Sequence, residues 1–430
     1  MNKYVGFLAS KLAPLGIKLG TQKHLVAIRD GIVYSMPLVM IGSLFLIISN
    51  LPIPGYSEFL NNTSDLMVWF NKIVDGSFGA MGLVASFSIA YSLAHQYKID
   101  GISTGIISLS SFLIVTPNIL DSTDAAGVPL LFLGSRGLFI AMLIGLLSAE
   151  IFRWFVKKNI RIKMPDSVPP AVSQSFSALI PGFAIILFFA LIYQALNMFD
   201  ITNIHDLILI IFNKPLTFLG GTLFGTMIAV SLNSIFWFIG LHGGNIVGSV
   251  MGPIWLMNTD DNRIAFQAGK EMPHIFTSTF TDAFVYIGGG GAIFALVFLL
   301  FFFSKSKEGK TMGKLSFFPD IFNVGEPAMF GIPIVMKPIL FLPFVLAPMA
   351  NTVIAYIAMS SGLVAKTVGI AIPWTTPPLI SGYLATGGDI TGSILQVVII
   401  VIDILIYFPF FKMLDNEKMK IESFSKGMDK

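Results

Sequence analysis

The sequence predicts an all-α, polytopic membrane protein with about ten transmembrane helices and two re-entrant loops. Three observations carry that expectation. Of the 430 residues, 54% are hydrophobic and only 12% charged, where a soluble domain carries about a quarter charged residues; the mean hydropathy is +0.80. Apolar runs near the spanning length of about 20 residues recur along the whole chain. Two apolar stretches in the second half are broken by glycine and proline, one around Glu326 and one around Trp374.

The first half reads as a bundle of five spans, roughly Gly31 to Asn50, Phe78 to Gln96, Gly101 to Pro117, Gly137 to Val156 and Phe176 to Met198. Basic residues in short loops mark the cytoplasmic side. Arg153, Lys157, Lys158, Arg161 and Lys163 crowd the fourth connection, whereas Glu58, Asp65, Asp75, Asp121 and Asp124 mark the opposite face. With Lys3, Lys11, Lys18, Lys23 and Arg29 ahead of the first span and no signal-peptide pattern, the N-terminus is expected in the cytoplasm. Arg29 and Asp30 read as a local pair at that boundary.

Asn203 to Phe218, with His205, Asp206 and Lys214, suits an external interfacial helix. Gly220 to Leu241 spans inward, the shorter run Asn245 to Met257 returns, and Thr281 to Phe303 spans inward again, ending at Lys305, Lys307, Lys310 and Lys314. Gly288 to Gly291 inside that run reads as close helix packing. The Glu326 segment then enters from the cytoplasmic side, Lys337 to Met359 crosses outward, Ile370 to Gly388 dips in from outside, and Ile390 to Phe411 returns. The expected organisation is therefore a five-helix domain over residues 1–200, a connector over 201–219, and a substrate domain over 220–411 with re-entrant segments near 315–336 and 370–388. A cytoplasmic tail over 412–430, carrying Lys412, Lys418, Lys420, Lys426 and Lys430, follows.

Composition also excludes. The net charge of +3 comes without a basic stripe, so no nucleic-acid partner is expected. Cysteine is absent, which removes disulfides, thiolate metal sites and a cysteine nucleophile; no metal site and no cofactor are expected. No GxxxxGK[ST] element offers ATP to drive transport.

The chemistry points to the broken segments. Phe322 to Pro338 reads FNVGEPAMFGIPIVMKP, and Gly325, Pro327, Gly331, Pro333 and Pro338 forbid one continuous helix. A carboxylate at that depth costs roughly 2.5–3.5 kcal/mol even on the lenient insertion scale, and such residues are functional by default. Glu326 suits a hydrogen-bond acceptor for sugar hydroxyls; a structural ion pair with Lys337 is the alternative. His242 sits where a span ends in Gly243-Gly244, Asn245 follows on the same turn, and Asn323 precedes Glu326 by three residues. Trp237 and Trp374 offer indole faces for a pyranose ring, or else belong to an interfacial belt. The expected substrate-binding set is thus Glu326, His242, Asn245, Asn323, Trp237 and Trp374. Asp403, another mid-span acid, has no visible partner.

Four segments carry a family resemblance: AIRDGIVYSMPLVMIGS (Ala27 to Ser43), WFIGLHGGNIVG (Trp237 to Gly248), YIGGGGA (Tyr286 to Ala292) and FNVGEPAMFGIPIVMKP. The chain resembles the membrane IIC component of the bacterial phosphoenolpyruvate-dependent sugar phosphotransferase system, in its lactose, cellobiose and diacetylchitobiose branch. The resemblance implies a multi-pass permease of the bacterial cell membrane, homodimeric through the first five spans. It also implies a disaccharide, β-linked diacetylchitobiose or cellobiose, held near Glu326 and His242. The resemblance further implies phosphorylation on the cytoplasmic side by a IIB protein bearing a phosphocysteine, with IIA and the phosphocarrier protein upstream. Because this chain has no cysteine, IIB is expected to be a separate polypeptide, and Lys305 to Lys314 could help dock it. Glu326 would orient the acceptor hydroxyl and act as a possible base. A reading from a different class is an ion-coupled secondary sugar transporter in which Asp403 or Glu326 carries a proton.

Overall fold

The computed structural model describes residues 2–51, 55–63, 65–120, 126–165, 167–199, 201, 203–332 and 334–428. Asp121, Asp124, Pro333 and Lys430 lie outside the described residues, as do the side chains of Lys3, Lys214 and Lys426. The chain is mostly helical, with one two-stranded antiparallel ribbon pairing Ile119 with Gly127 and Leu120 with Ala126. It divides into two compact units, residues 21–216 and residues 1–20 with 217–430.

In the first unit, helices Lys23–Ser49, Leu66–Phe78, Met81–Gln96, Gly101–Val115, Leu138–Lys157 and Pro170–Met198 overlap the five apolar runs, the second of them interrupted at Gly79 and Ala80. Local chemistry sets their starts. Asp100 caps Gly101–Val115 by accepting from the Ser103 N–H at 3.2 Å, and Pro170 opens the longest of these helices, where its missing N–H costs nothing. Lipid tails are as apolar as leucine, so small residues and polar contacts must hold such helices together. A Cβ on Gly31 would stand 2.7 Å from the Ile89 Cα, and the Ser88 Oγ donates to the Gly31 carbonyl at 2.6 Å. Arg29 and Asp30 form the expected local pair at 2.5 Å.

The second unit contains the helices from Leu223 onward and, unexpectedly, the first. Helix Asn2–Gly20 packs on Leu223–Phe238 and Gly243–Gln267; a Cβ on Gly16 would meet Leu241 at 2.5 Å and one on Gly20 would meet Ile246 at 3.1 Å. Glycines at those two positions let this helix seat closely, so the expected 1–200 domain gives up its first twenty residues.

Three further expectations change. The apolar run Thr281 to Phe303 is not one helix: it bends by 62° between Ser278–Ala292 and Phe294–Phe303. Gly288, Gly289 and Gly291 take φ of +81°, +89° and +77°, which side chains resist, so this glycine run makes a turn where close helix packing was expected. The return after His242 extends well beyond Met257, as the 25-residue helix Gly243–Gln267. Its last turns are polar but buried because each group is used: Asn258 donates to the Phe276 carbonyl, Asn262 to those of His274 and Thr367, and Arg263 pairs with Asp260 at 2.6 Å. Finally, residues 412–428 are no separate tail. Helix Ile390–Met428 runs on unbroken, and Asp415 accepts from the Ser304 and Ser306 hydroxyls, both at 2.6 Å, and from the Lys305 and Ser306 N–H groups.

Six helical segments among the described residues are long and apolar enough to cross a membrane, or seven if the bent pair counts as one span. Gly101–Val115 and Leu223–Phe238 are apolar but shorter, with 15 and 16 residues. This is a multi-pass α-helical membrane protein.

Candidate functional site

The site lies within the second unit, where three chain breaks converge. Helix Leu223–Phe238 ends ahead of Gly240, whose φ is +86°, and His242 caps the next helix. The Asn245 N–H donates to His242 Nδ1 at 3.1 Å. A backbone N–H can only donate, so Nδ1 bears the lone pair and the neutral ring carries its proton on Nε2. Trp237 lies against this ring, centroids 4.3 Å apart at 44°. On the next wall, a Cβ on Gly290 would stand 2.8 Å from Trp237 Cδ1; bare backbone is what lets the indole sit there.

The third break carries Glu326. Helix Lys307–Ile321 stops, the chain turns through Asn323 at φ +59°, and the short helix Glu326–Gly331 begins. A Cβ on Gly325 would come within 2.5 Å of the Gly288 carbonyl, so glycine is needed for this turn to meet the glycine turn of 288–291. Asn323 ties them. Its Oδ1 accepts from the Gly288 N–H at 2.8 Å, and its Nδ2 donates to the carbonyls of Trp374 at 2.7 Å and Thr376 at 3.1 Å.

These elements enclose a cavity of about 190 Å³ lined by Trp237, His242, Gly289, Gly290, Asn323, Gly325, Glu326, Met329 and Trp374. That is room for several water-sized groups. Five of the six residues singled out from the sequence therefore come together. Asn245 does not line it: its backbone N–H orients His242 instead. The Asn323 amide is spent on backbone, so its visible work is to hold two walls at their spacing. Gly289, Gly290 and Met329 were not anticipated; the only signal was the glycine run itself.

Glu326 is exposed to the cavity and has no hydrogen bond or ion pair among the described residues. Lys337, its alternative partner, instead reaches Glu417 at 3.5 Å. The carboxylate is thus available to accept hydroxyl hydrogens, with an imidazole donor and two indole faces around it. That is chemistry for a neutral polyhydroxylated ring.

Comparison with known proteins agrees. The family model for the phosphotransferase system, EIIC, matches residues 29–348. The chain belongs to this EIIC family. The EIIC chain is 49% identical over 438 residues to the lichenan permease IIC component of Bacillus subtilis (strain 168), covering 98% of this chain and 96% of the relative. It is 46% identical to the cellobiose-specific EIIC component of Geobacillus stearothermophilus, covering 97% and 96%. A solved structure, the transporter ChbC, the IIC component of an N,N'-diacetylchitobiose-specific phosphotransferase system, superposes with a TM-score of 0.92 at 45% identity, over 97% of this EIIC chain and 99% of that one. Against the lactose-specific EIICB component of Staphylococcus haemolyticus (strain JCSC1435), at 31% identity, all of this chain aligns but only 73% of the relative.

Proposed function

We propose that this EIIC protein binds a β-linked disaccharide of the cellobiose or diacetylchitobiose type and carries it across the bacterial cell membrane for phosphorylation at the cytoplasmic face. The observation that carries the reading is the unpaired Glu326 carboxylate facing a cavity walled by Trp237, His242 and Trp374. Substrates named for the relatives at 46% and 45% identity support the choice of sugar.

In this reading Glu326 accepts a hydrogen bond from the acceptor hydroxyl, orients it and takes its proton as phosphate arrives. The phosphoryl group comes from a phosphocysteine on a IIB protein, itself supplied by IIA and the phosphocarrier protein. Phosphoryl transfer through a loose transition state asks mainly for alignment, which a carboxylate bonded to the acceptor hydroxyl provides. These 430 residues hold no cysteine, so the phosphocysteine of this reading lies outside them. The relative of which 27% lies beyond the aligned part, by difference from 73%, is named EIICB, with both components on one chain.

The finer topology belongs to the same proposal: about ten crossings with two re-entrant segments, near 315–336 and 370–388, both termini cytoplasmic, and a homodimer formed through the 21–216 unit. Charge alternation across the short loops supports the orientation. The competing ion-coupled transporter has no support in the comparisons, and Asp403, on which it leaned, is bonded to Asn351 Nδ2 at 2.9 Å.

The test is sugar uptake into proteoliposomes. Uptake coupled to sugar phosphorylation that requires purified IIB supports the proposal; uptake driven by a proton gradient without IIB overturns it.

A further inference from the structure

A second carboxylate stands beside the sugar cavity with no assigned task. Asp282 lies in the first arm of the bent 278–303 segment, in a turn widened by one residue, where the Tyr286 N–H reaches back five residues to the Thr281 carbonyl at 3.2 Å. Such π-type turns recur at functional sites. Its neighbours Thr281, Ala283 and Phe284 are buried while the Asp282 side chain is exposed, so the turn aims it at open space. That space is a hollow of about 10 Å³ lined by Thr279, Asp282, Pro373, Trp374 and Ser381 among others. It has room for about one water-sized group.

Trp374 belongs both to this hollow and to the Glu326 cavity. The other polar groups of the hollow are engaged: Thr279 Oγ1 donates to the Ile370 carbonyl at 2.7 Å, and Ser381 Oγ accepts from Gln396 Nε2 at 2.8 Å. Asp282 has no hydrogen-bond or ion-pair partner among the described residues. Nor does a group of three His, Cys, Asp or Glu gather anywhere among them to hold a cation.

We propose that Asp282 is a second hydroxyl acceptor of the sugar site, binding a hydroxyl other than the one held by Glu326. The inference rests on reading the Glu326 cavity as a sugar site. A carboxylate can only accept, the hollow admits one small donor, and a ring lying against Trp374 can project a single hydroxyl into it. An uncompensated carboxylate at membrane depth is otherwise a cost with no return. Asp282 would then sort sugars by the presence and stereochemistry of that hydroxyl, because a site built to bond a hydroxyl rejects the analogue lacking it.

Calorimetric titration of the purified protein with cellobiose and with its monodeoxy analogues tests this. The wild type should bind one analogue at least tenfold more weakly than cellobiose through Asp282 and a different one through Glu326. Asp282→Asn should bind cellobiose about tenfold more weakly and no longer distinguish the first analogue from cellobiose, while still distinguishing the second. Glu326→Gln should show the converse. Asp282→Ser, smaller and uncharged, carries the same expectation if the asparagine variant does not fold. Asp282 variants that distinguish every analogue as the wild type does, or that weaken all sugars equally, would overturn the inference while leaving the sugar site intact. A wild type that binds no sugar would overturn the underlying reading and this inference with it.

Discussion

The Asn323 Nδ2 donates to the Trp374 carbonyl at 2.7 Å across 51 residues of chain, while its Oδ1 holds the Gly288 N–H at 2.8 Å. One buried amide thereby sets the distance between the turn that presents Glu326, the glycine turn and the segment that presents Trp374.

Asn323→Leu removes all three bonds and leaves buried backbone groups unpaired. At roughly 1 kcal/mol per lost bond, more where a group is stranded, destabilisation of about 2–4 kcal/mol is expected, with sugar affinity falling as Trp374 loses its anchor. Thermal unfolding in detergent and equilibrium sugar binding read the two effects. A variant as stable as the wild type would remove the clamp from this account.

Gly290→Ala places a methyl group 2.8 Å from Trp237 Cδ1. The indole must move, so weaker sugar binding is expected with a smaller change in unfolding temperature than for Asn323→Leu. Tryptophan fluorescence titrated with sugar follows the displacement; an unchanged ligand response would show that Trp237 is not part of the site.

Much of this site was legible because its signals are local. Glu326 and His242 announce themselves as polar residues at helix breaks inside apolar runs, and Pro373, Pro377 and Pro378 flag the segment of Trp374. What stayed hidden depends on contacts distant in sequence. Gly288 to Gly291 looks like a packing surface until the neighbouring turn at Gly325 is known to need its backbone. The partner of Asp403 is Asn351, 52 residues away, and Asn258 and Asn262 mark the end of a span until the loop carbonyls that satisfy them are seen. In the fold, the apolar helices of the 21–216 unit follow from hydropathy, whereas the seating of helix Asn2–Gly20 rests on Gly16 and Gly20 meeting residues more than two hundred positions on.

Asp415→Asn should loosen the connection at 304–309. Asparagine retains one acceptor oxygen where the carboxylate accepts from two hydroxyls and two N–H groups, and bonds to a charged group are worth about 1.5–3 kcal/mol each. Faster amide exchange confined to peptides covering 304–309 and the facing part of the last helix is expected. Unaltered exchange there would contradict the docking role.

Glu271 and Lys366 supply a pH dependence outside the spans. The Lys366 ammonium, 2.8 Å away, holds the Glu271 carboxyl below its usual range, first through the hydrogen bond and then through charge. A folded-state pKa below the unfolded one means that the contribution is complete above the ordinary glutamate range and disappears as pH falls through the lower, folded value. Because Glu271 is fully exposed, the effect on stability is small. Lys366→Met should return the Glu271 titration upward, observed by carboxyl carbon NMR; an unmoved titration would exclude the pair as its cause.

In the proposed site Glu326 holds a sugar hydroxyl. The direct measurement is equilibrium binding of cellobiose and diacetylchitobiose to purified wild type and Glu326→Gln, with folding of the variant checked by its unfolding transition. Loss of a charged acceptor worth about 1.5–3 kcal/mol predicts an affinity lower by roughly tenfold to a hundredfold in a protein that still folds. Unchanged affinity for both sugars in the folded variant would contradict the account.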